Sequence, residues 1–168
     1  MKSKIFKSVV LGVFCLCLAD CQYDPWASGF VTTQPPDKDI IGTYKVDSDS
    51  LHGGISIPAT LKPFAVSPDA KIILSADYKA QFVNVPETDD TGSGICVISG
   101  TGSWQPYQGR YFIVFVQIHR NGFRNSADGC QQKYDGELTL YGKKPPYKLT
   151  VTISDPDLGE VVQFERTD

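Results

Sequence analysis

The chain has 168 residues and a formal net charge of −3, with hydrophobic side chains at 41% of its positions. This length gives room for a single domain. Acidic residues outnumber basic ones and no long basic run is present, so the surface should repel the phosphates of nucleic acids and anionic lipids. We therefore expect no nucleic-acid partner.

Residues 1–20 have the pattern of a secretory signal. Lys2, Lys4 and Lys7 form a basic start, and an apolar run, 9–19, follows them. The run is too short for a transmembrane helix, which needs about 20 residues. Removal of this segment on export would leave a mature chain with a net charge of about −5.

Cys21 directly follows the apolar run, in the order Leu18, Ala19, Asp20, Cys21. This order resembles the signal box of bacterial lipoproteins, in which the cysteine is acylated and becomes the first residue of the mature protein. The resemblance implies that Cys21 is the site of lipidation. Ordinary cleavage after Ala19 is the alternative, and it would leave a soluble periplasmic or secreted protein with a free thiol at Cys21.

The lipoprotein resemblance also implies a location. It places the protein in a bacterial envelope, where the membrane is a partner through a diacylglyceryl thioether on Cys21. One acyl chain binds a membrane only marginally, so stable anchoring takes two or more. Gln22 differs from the aspartate that retains lipoproteins in the inner membrane, which favours the outer membrane in a cell with two membranes.

Residues 21–37 contain Pro25, Pro35 and Pro36 and show no helix or strand period. This composition is typical of a tether. We therefore expect a folded domain over residues 38–168, after a signal (1–20) and a tether (21–37).

The domain contains short segments with alternating apolar and polar residues, separated by Gly, Pro, Asp and Asn, a pattern that predicts strands. The predicted strands are 40–48, 71–77, 79–85, 93–105, 110–119, 134–142, 147–154 and 160–166. Pro86 is expected to end the third strand, and Gly100 and Gly102 to allow a bulge or bend in the fourth. Trp104 is expected to plug the barrel end, with a place in a ligand pocket as the alternative.

About eight strands at this spacing predict an all-β fold. The favoured architecture is a small antiparallel β-barrel, and the alternative is a β-sandwich. A barrel is favoured because closure removes the exposed edge that the apolar strand 110–119 would otherwise present.

Cys96 and Cys130 are the two cysteines left after the signal and Cys21. In an oxidising compartment they are expected to form a disulfide. The bond would close a loop of about 34 residues and contribute roughly 4 kcal/mol to stability. Their isolation from other metal-ligating residues argues against a metal or redox site.

Several short motifs resemble those of small bacterial lipoproteins with a lipocalin-like barrel. They are Gly42-Thr43-Tyr44; Leu74, Asp77, Phe82, Asn84 and Pro86; Gly100-Thr101-Gly102-Ser103-Trp104; and Asp155-Pro156-Asp157 with Gly159, Phe164 and Arg166. The resemblance spans most of residues 40–166. It implies a lipocalin-like barrel domain in a lipid-anchored protein.

The sequence contains no pattern that predicts catalysis. His52 and His119 are the two histidines, and neither stands in a nucleophile motif or a metal-binding spacing. We expect a non-enzymatic protein with no cofactor and no metal.

Two functional classes remain. The first is a binding module for a small apolar ligand or a partner protein of the envelope. The second, the alternative, is an immunity or inhibitor-type protein that blocks a toxin or an enzyme. Glu87, Asp89 and Asp90, in a turn-rich stretch, are the candidate partner-binding loop.

Overall fold

The computed structural model describes residues 28–47, 66–88, 95–121, 130–153 and 161–168. These residues form a short 3₁₀ turn (Asp37–Asp39) and eight strands: β1 (Gly42–Val46), β2 (Lys71–Leu74), β3 (Lys79–Thr88), β4 (Ile95–Gln108), β5 (Phe112–Arg120), β6 (Lys133–Tyr141), β7 (Lys148–Thr152) and β8 (Val161–Arg166). Each strand pairs antiparallel with the next, and β1 also pairs with β8. The predicted eight-stranded antiparallel barrel is therefore confirmed, and the sandwich alternative is excluded.

The alternation of side chains along the strands builds the barrel. Successive residues of a strand point to opposite faces. In β5, Phe112, Val114, Val116 and Ile118 are all fully buried and face the interior, and the residues between them face outward. This one-sided pattern recurs around the sheet, and closure brings all the apolar faces together into one core.

β3 contains a bulge. Its register with β4 shifts between Phe82 and Val85, which gives β3 one extra residue. Asn84 lies in the bulge with a φ of 51°, a left-handed conformation that Asn adopts more readily than most residues. The N–H of Asn84 donates to Oγ of Ser99 (2.9 Å), which ties the bulge to β4.

Pro86 does not end β3, in contrast to the prediction. The strand continues to Thr88, and Pro86 itself lies opposite a residue of β4. β2 pairs with β3 only as far as Val83, so the later part of β3 is paired with β4 alone. A strand that is paired on one side tolerates the missing N–H of a proline.

The bulge predicted at Gly100 and Gly102 lies instead in β3. The register between β4 and β5 runs without a shift from Gly100 to Gln108. A Cβ atom on Gly100 or Gly102 would collide with the carbonyl oxygen of His119 or Gln117, respectively. The glycines therefore let the backbones of two neighbouring strands approach closely.

The N-terminal segment is inserted between the ends of β5 and β6. The N–H of Val31 donates to the carbonyl oxygen of Leu140 (3.0 Å), and its own carbonyl oxygen accepts from the N–H of Phe112 (2.7 Å). The carbonyl oxygen of Gly29 accepts from the N–H of Gly142 (2.8 Å). Through these bonds residues 29–31 extend the sheet of the barrel between the ends of β5 and β6.

Residues 29–31, part of the predicted tether (21–37), are therefore hydrogen-bonded to the barrel. Val31 is buried and Phe30 is half-buried, so the segment is held by apolar contacts as well as by its backbone. Residues 21–27 of the predicted tether lie outside the described residues, as does the predicted signal, 1–20.

Candidate functional site

The two ends of the barrel are built differently. At one end, called the turn end, three short connections join the strands: 75–78, 109–111 and 142–147. At the other end, called the loop end, the connections are 47–70, 89–94, 121–132 and 153–160. Connections that a rigid scaffold holds together are the usual place for binding residues. Each end is therefore a candidate site.

The turn end is closed by the 3₁₀ turn that precedes β1. The hydroxyl of Tyr44 donates to the carbonyl oxygen of Ile40 (2.5 Å). Nη1 of Arg166 donates to the carbonyl oxygen of Lys38 (3.2 Å). Burial raises the pKa of Tyr44 to about 12. The protonated phenol donates the bond to Ile40 and so ties the 3₁₀ turn to β1.

Trp104 adds a plug beneath the turn between β2 and β3. Its ring is 2% exposed, and its Nε1 donates to the carbonyl oxygen of Ser75 (3.0 Å). The ring of Tyr78 packs on it, with the centroids 5.0 Å apart. Trp104 therefore plugs the barrel end, as the sequence predicts, and leaves Tyr78 as the exposed cover.

The described interior of the barrel is a packed core. Near the loop end the inward side chains of Tyr134 and Arg120 are each 9% exposed. The other inward side chains of the strands are at most 3% exposed: Tyr44, Ile72, Leu74, Ala80, Phe82, Val85, Ile98, Trp104, Phe112, Val114, Val116, Ile118, Leu138, Leu140, Leu149, Val151, Val162 and Phe164. A cavity wide enough for a water molecule would leave accessible surface on the side chains that line it. Among the described residues the interior thus leaves no room for an apolar ligand.

An ion pair lies inside the mouth of the loop end. Arg120 continues the inward-facing series of β5, and its Nη2 donates to Oε2 of Glu87 (2.8 Å). The Arg120 side chain is only 9% exposed. Tyr134 belongs to the same region, and burial, followed by the charge of Glu87, raises its pKa. A buried pair of this kind fixes positions more than it adds stability.

Glu87 is therefore not a loop residue, in contrast to the prediction. It lies in β3, and its carboxylate is bonded to Arg120. The other two members of the candidate partner-binding loop, Asp89 and Asp90, lie outside the described residues. Of the three residues of the candidate partner-binding loop, only Glu87 therefore belongs to the described part of the chain.

Cys96 and Cys130 form a disulfide beside this ion pair. Their Cα atoms are 5.9 Å apart, within the normal range for a bonded pair. Cys96 lies on β4 directly opposite Glu87, and Cys130 precedes β6. The bond therefore links the connection before β6 to the mouth of the barrel, as predicted.

The outer face of β4 and β5 carries no Asp, Glu, Lys or Arg side chain. Its outward residues are Val97, Ser99, Thr101, Ser103, Gln105, Tyr107, Ile113, Phe115, Gln117 and His119. A shallow depression of about 90 Å³ lies on this face, lined by Ser103, Gln105, Phe115 and Gln117 together with Trp104. Such a face offers neutral hydrogen-bonding groups to a partner.

Three further candidate residues are Cys21, His52 and His119. Cys21 and His52 lie outside the described residues. His119 points outward from β5, between Thr101 and Lys133 of the neighbouring strands. Within the described ranges no three metal-ligating side chains come together. No helix among the residues that the structure describes is long and apolar enough to span a lipid bilayer.

An ion-pair cluster that no sequence pattern indicates lies on the outer surface of the barrel. Nζ of Lys148 contacts Oδ2 of Asp47 (2.6 Å) and Oε1 of Glu165 (2.7 Å). Burial lowers the pKa of Lys148, but its bonds to the two carboxylates outweigh burial and raise it. No local pattern could have found this cluster, because its members come from distant parts of the chain.

Comparisons with known proteins return nothing for this chain. No protein-family model, no curated protein and no solved structure matches it. The case for a function therefore rests on the residues of the chain and on their arrangement.

Proposed function

We propose that this chain is a lipid-anchored, non-catalytic protein of the bacterial envelope that binds a partner protein. The packed interior is the observation that favours a partner protein over a small apolar ligand. Large side chains such as Tyr44, Phe82, Phe112 and Phe164 occupy the barrel, where a small apolar ligand would otherwise sit. A protein surface, in contrast, can be bound without any cavity.

The anchor is Cys21, in the box Leu18-Ala19-Asp20-Cys21 that resembles a lipoprotein signal. The placement of the N-terminal segment indicates which end of the barrel this anchor would hold. Gly29 is held at the turn end, so a lipid on Cys21 would attach that end of the barrel to the membrane. The outer membrane is the proposed location, since Gln22 follows the cysteine.

This arrangement directs the loop end away from the membrane. The connections 47–70, 89–94, 121–132 and 153–160 join the strands at that end, whose rim carries the disulfide and the Arg120–Glu87 pair. We therefore assign the partner-binding surface to the loop end. An immunity or inhibitor role, the alternative from the sequence, needs the same surface and differs only in the identity of the partner.

Site-specific photo-crosslinking in intact cells tests the proposal. A photoreactive residue is placed at Asn121 or Gln131, both exposed at the loop end, and at Ala76 of the turn end as the matched control. We expect a discrete protein adduct in the membrane fraction from the first two positions and none from the control. Adducts from Ala76 alone, or lipid-sized adducts from Asn121, would contradict a partner protein at the loop end.

A further inference from the structure

We propose that the turn end is itself a membrane-binding surface. Its basic patch consists of Arg110, Lys143 and Lys144, and it binds the phosphate-bearing headgroups of an anionic phospholipid surface. The orientation that brings the patch to the membrane rests on the proposed anchor at Cys21. The contact is separate from the lipid, because it uses side chains of the folded barrel.

The basic patch surrounds the point where the N-terminal chain leaves the barrel. Gly29 is bonded to Gly142, the residue directly before the two lysines. The ring of Phe30 packs against Tyr111, with centroids 5.0 Å apart, and Arg110 is the residue before Tyr111. The chain that leads to Cys21 therefore emerges between the turn that carries Arg110 and the turn that carries the lysines.

No carboxylate side chain lies in the segments that form this side of the barrel. The described stretches 28–36, 95–121 and 138–153 contain no Asp and no Glu. Arg110, Lys143 and Lys144 are exposed, and their charges are not opposed by a neighbouring acid of these stretches. The side of the turn end next to the N-terminal chain is therefore positive.

Of the acidic residues elsewhere at the turn end, Asp39 is half-buried in the 3₁₀ turn, and three others have partners. Asp77 is paired with Lys79 (2.5 Å), Asp168 with Arg166 (3.3 Å), and Asp37 accepts from the hydroxyl of Tyr78 (2.9 Å). Charges further away are screened over about 8 Å at physiological ionic strength. The chain as a whole is acidic, which argues against binding to anionic lipid. At this end of the barrel, however, a membrane would face the basic patch.

The connection to Cys21 is short. From Cys21 to Gly29 the chain spans eight residues, which reach at most about 29 Å when fully extended. A lipid on Cys21 thus holds Gly29, beside the basic patch, within about 29 Å of the anchored residue. Tyr107, 58% exposed beside the same turn, adds a ring with a polar tip, which suits the boundary between lipid and water.

Vesicle co-sedimentation of the unlipidated chain tests the basic patch. The protein is the full mature sequence with Cys21→Ser, and the vesicles contain phosphatidylethanolamine with phosphatidylglycerol, or phosphatidylcholine alone. We expect binding to the anionic vesicles only, weakened by added salt. Each basic residue near an anionic surface is worth about fivefold in affinity, so R110Q/K143Q/K144Q should bind on the order of 100-fold more weakly.

The matched control is K45Q/K71Q/K133Q, which removes the same charge from the walls of the barrel and should retain most of the binding. Equal losses in the two triple variants would mean that net charge alone acts, and would overturn the patch. Absence of any preference for anionic vesicles would overturn it as well. Because this protein has no lipid, neither result depends on whether Cys21 is acylated, and the anchor is judged separately.

Discussion

Trp104 and Tyr44 close the turn end from the inside, each with an apolar ring in the core and one polar atom bonded to a backbone carbonyl. The indole N–H reaches Ser75 in the turn between β2 and β3, and the phenol reaches Ile40 before β1. Both carbonyls would lack these bonds if the ring were replaced by a purely apolar one. Single substitutions at these two residues therefore test how the end is held.

Trp104→Phe should destabilise the fold by about 1–3 kcal/mol, because Ser75 loses its buried donor and the smaller ring fills less of the space. The urea midpoint should fall at an unchanged slope. Tyr107→Phe, at an exposed position on the same strand, is the control and should change stability by less than about 0.5 kcal/mol. Equal midpoints for the two variants would contradict the plug.

Tyr44 predicts a pH dependence. Burial raises its pKa to about 12, against about 10 in an unfolded chain. Because the folded state holds the phenolic proton more tightly, the stability contributed by that proton is fully present below about pH 10 and is lost as the pH rises toward 12. The same direction holds for Tyr134, whose pKa is also raised, first of all by burial.

Tyr44→Phe should therefore be less stable than the natural chain at pH 7 by about 1 kcal/mol, through loss of the hydrogen bond to Ile40. Between pH 10 and 12 its free energy of unfolding should fall less steeply, since one of the phenols with a raised pKa is gone. Urea unfolding across this pH range measures both effects. Parallel curves for the two proteins would contradict a buried, protonated Tyr44.

At the scale of elements, the bulge in β3 depends on one residue with positive φ. Asn84→Gly should keep the conformation, whereas Asn84→Ala must place a Cβ in the left-handed region, at roughly 1–2 kcal/mol. Both variants lose the side-chain contact with Ser99, so their difference isolates the backbone effect. We expect the glycine variant to be the more stable in urea unfolding; the reverse order would contradict the bulge.

The strands could be predicted because each is a short alternating segment whose inward face is apolar, as in β5 and β7. Features that depend on a neighbour were missed. Pro86 is tolerated because the pairing of β3 with β2 ends at Val83. The register between β4 and β5 does not shift at the glycines of β4, because the extra residue lies in β3. Neither fact can be read from the segment in which it occurs.

The candidate sites were predictable to a smaller extent. Cys21 and the pair Cys96 and Cys130 stand out by residue type and spacing. Arg120 had a weak signal, since it falls in the inward phase of an apolar strand. No sequence signal indicates the basic patch. Arg110 and the two lysines flank the same segment only because Gly29 and Phe30 pack between the ends of β5 and β6.

At the scale of the whole molecule, the barrel has two ends with different tasks in the proposed function. The turn end is closed by a packed plug and receives the chain from Cys21, and the loop end carries the disulfide and the Arg120–Glu87 ion pair. This difference between the two ends matters for the proposed function only if the N-terminus is fixed to a membrane. Acylation of Cys21 is therefore the central claim.

The intact mass of the mature protein from a native-like bacterial host tests that claim most directly, with and without reductant and beside a Cys21→Ser variant. We expect a chain that begins at Cys21, heavier by a diacylglyceryl group, and a gain of two protons on reduction of the Cys96–Cys130 bond. The variant should lack the added mass. An unmodified chain that begins at Asp20 would contradict the anchor and leave Cys21 as a free thiol on a soluble barrel.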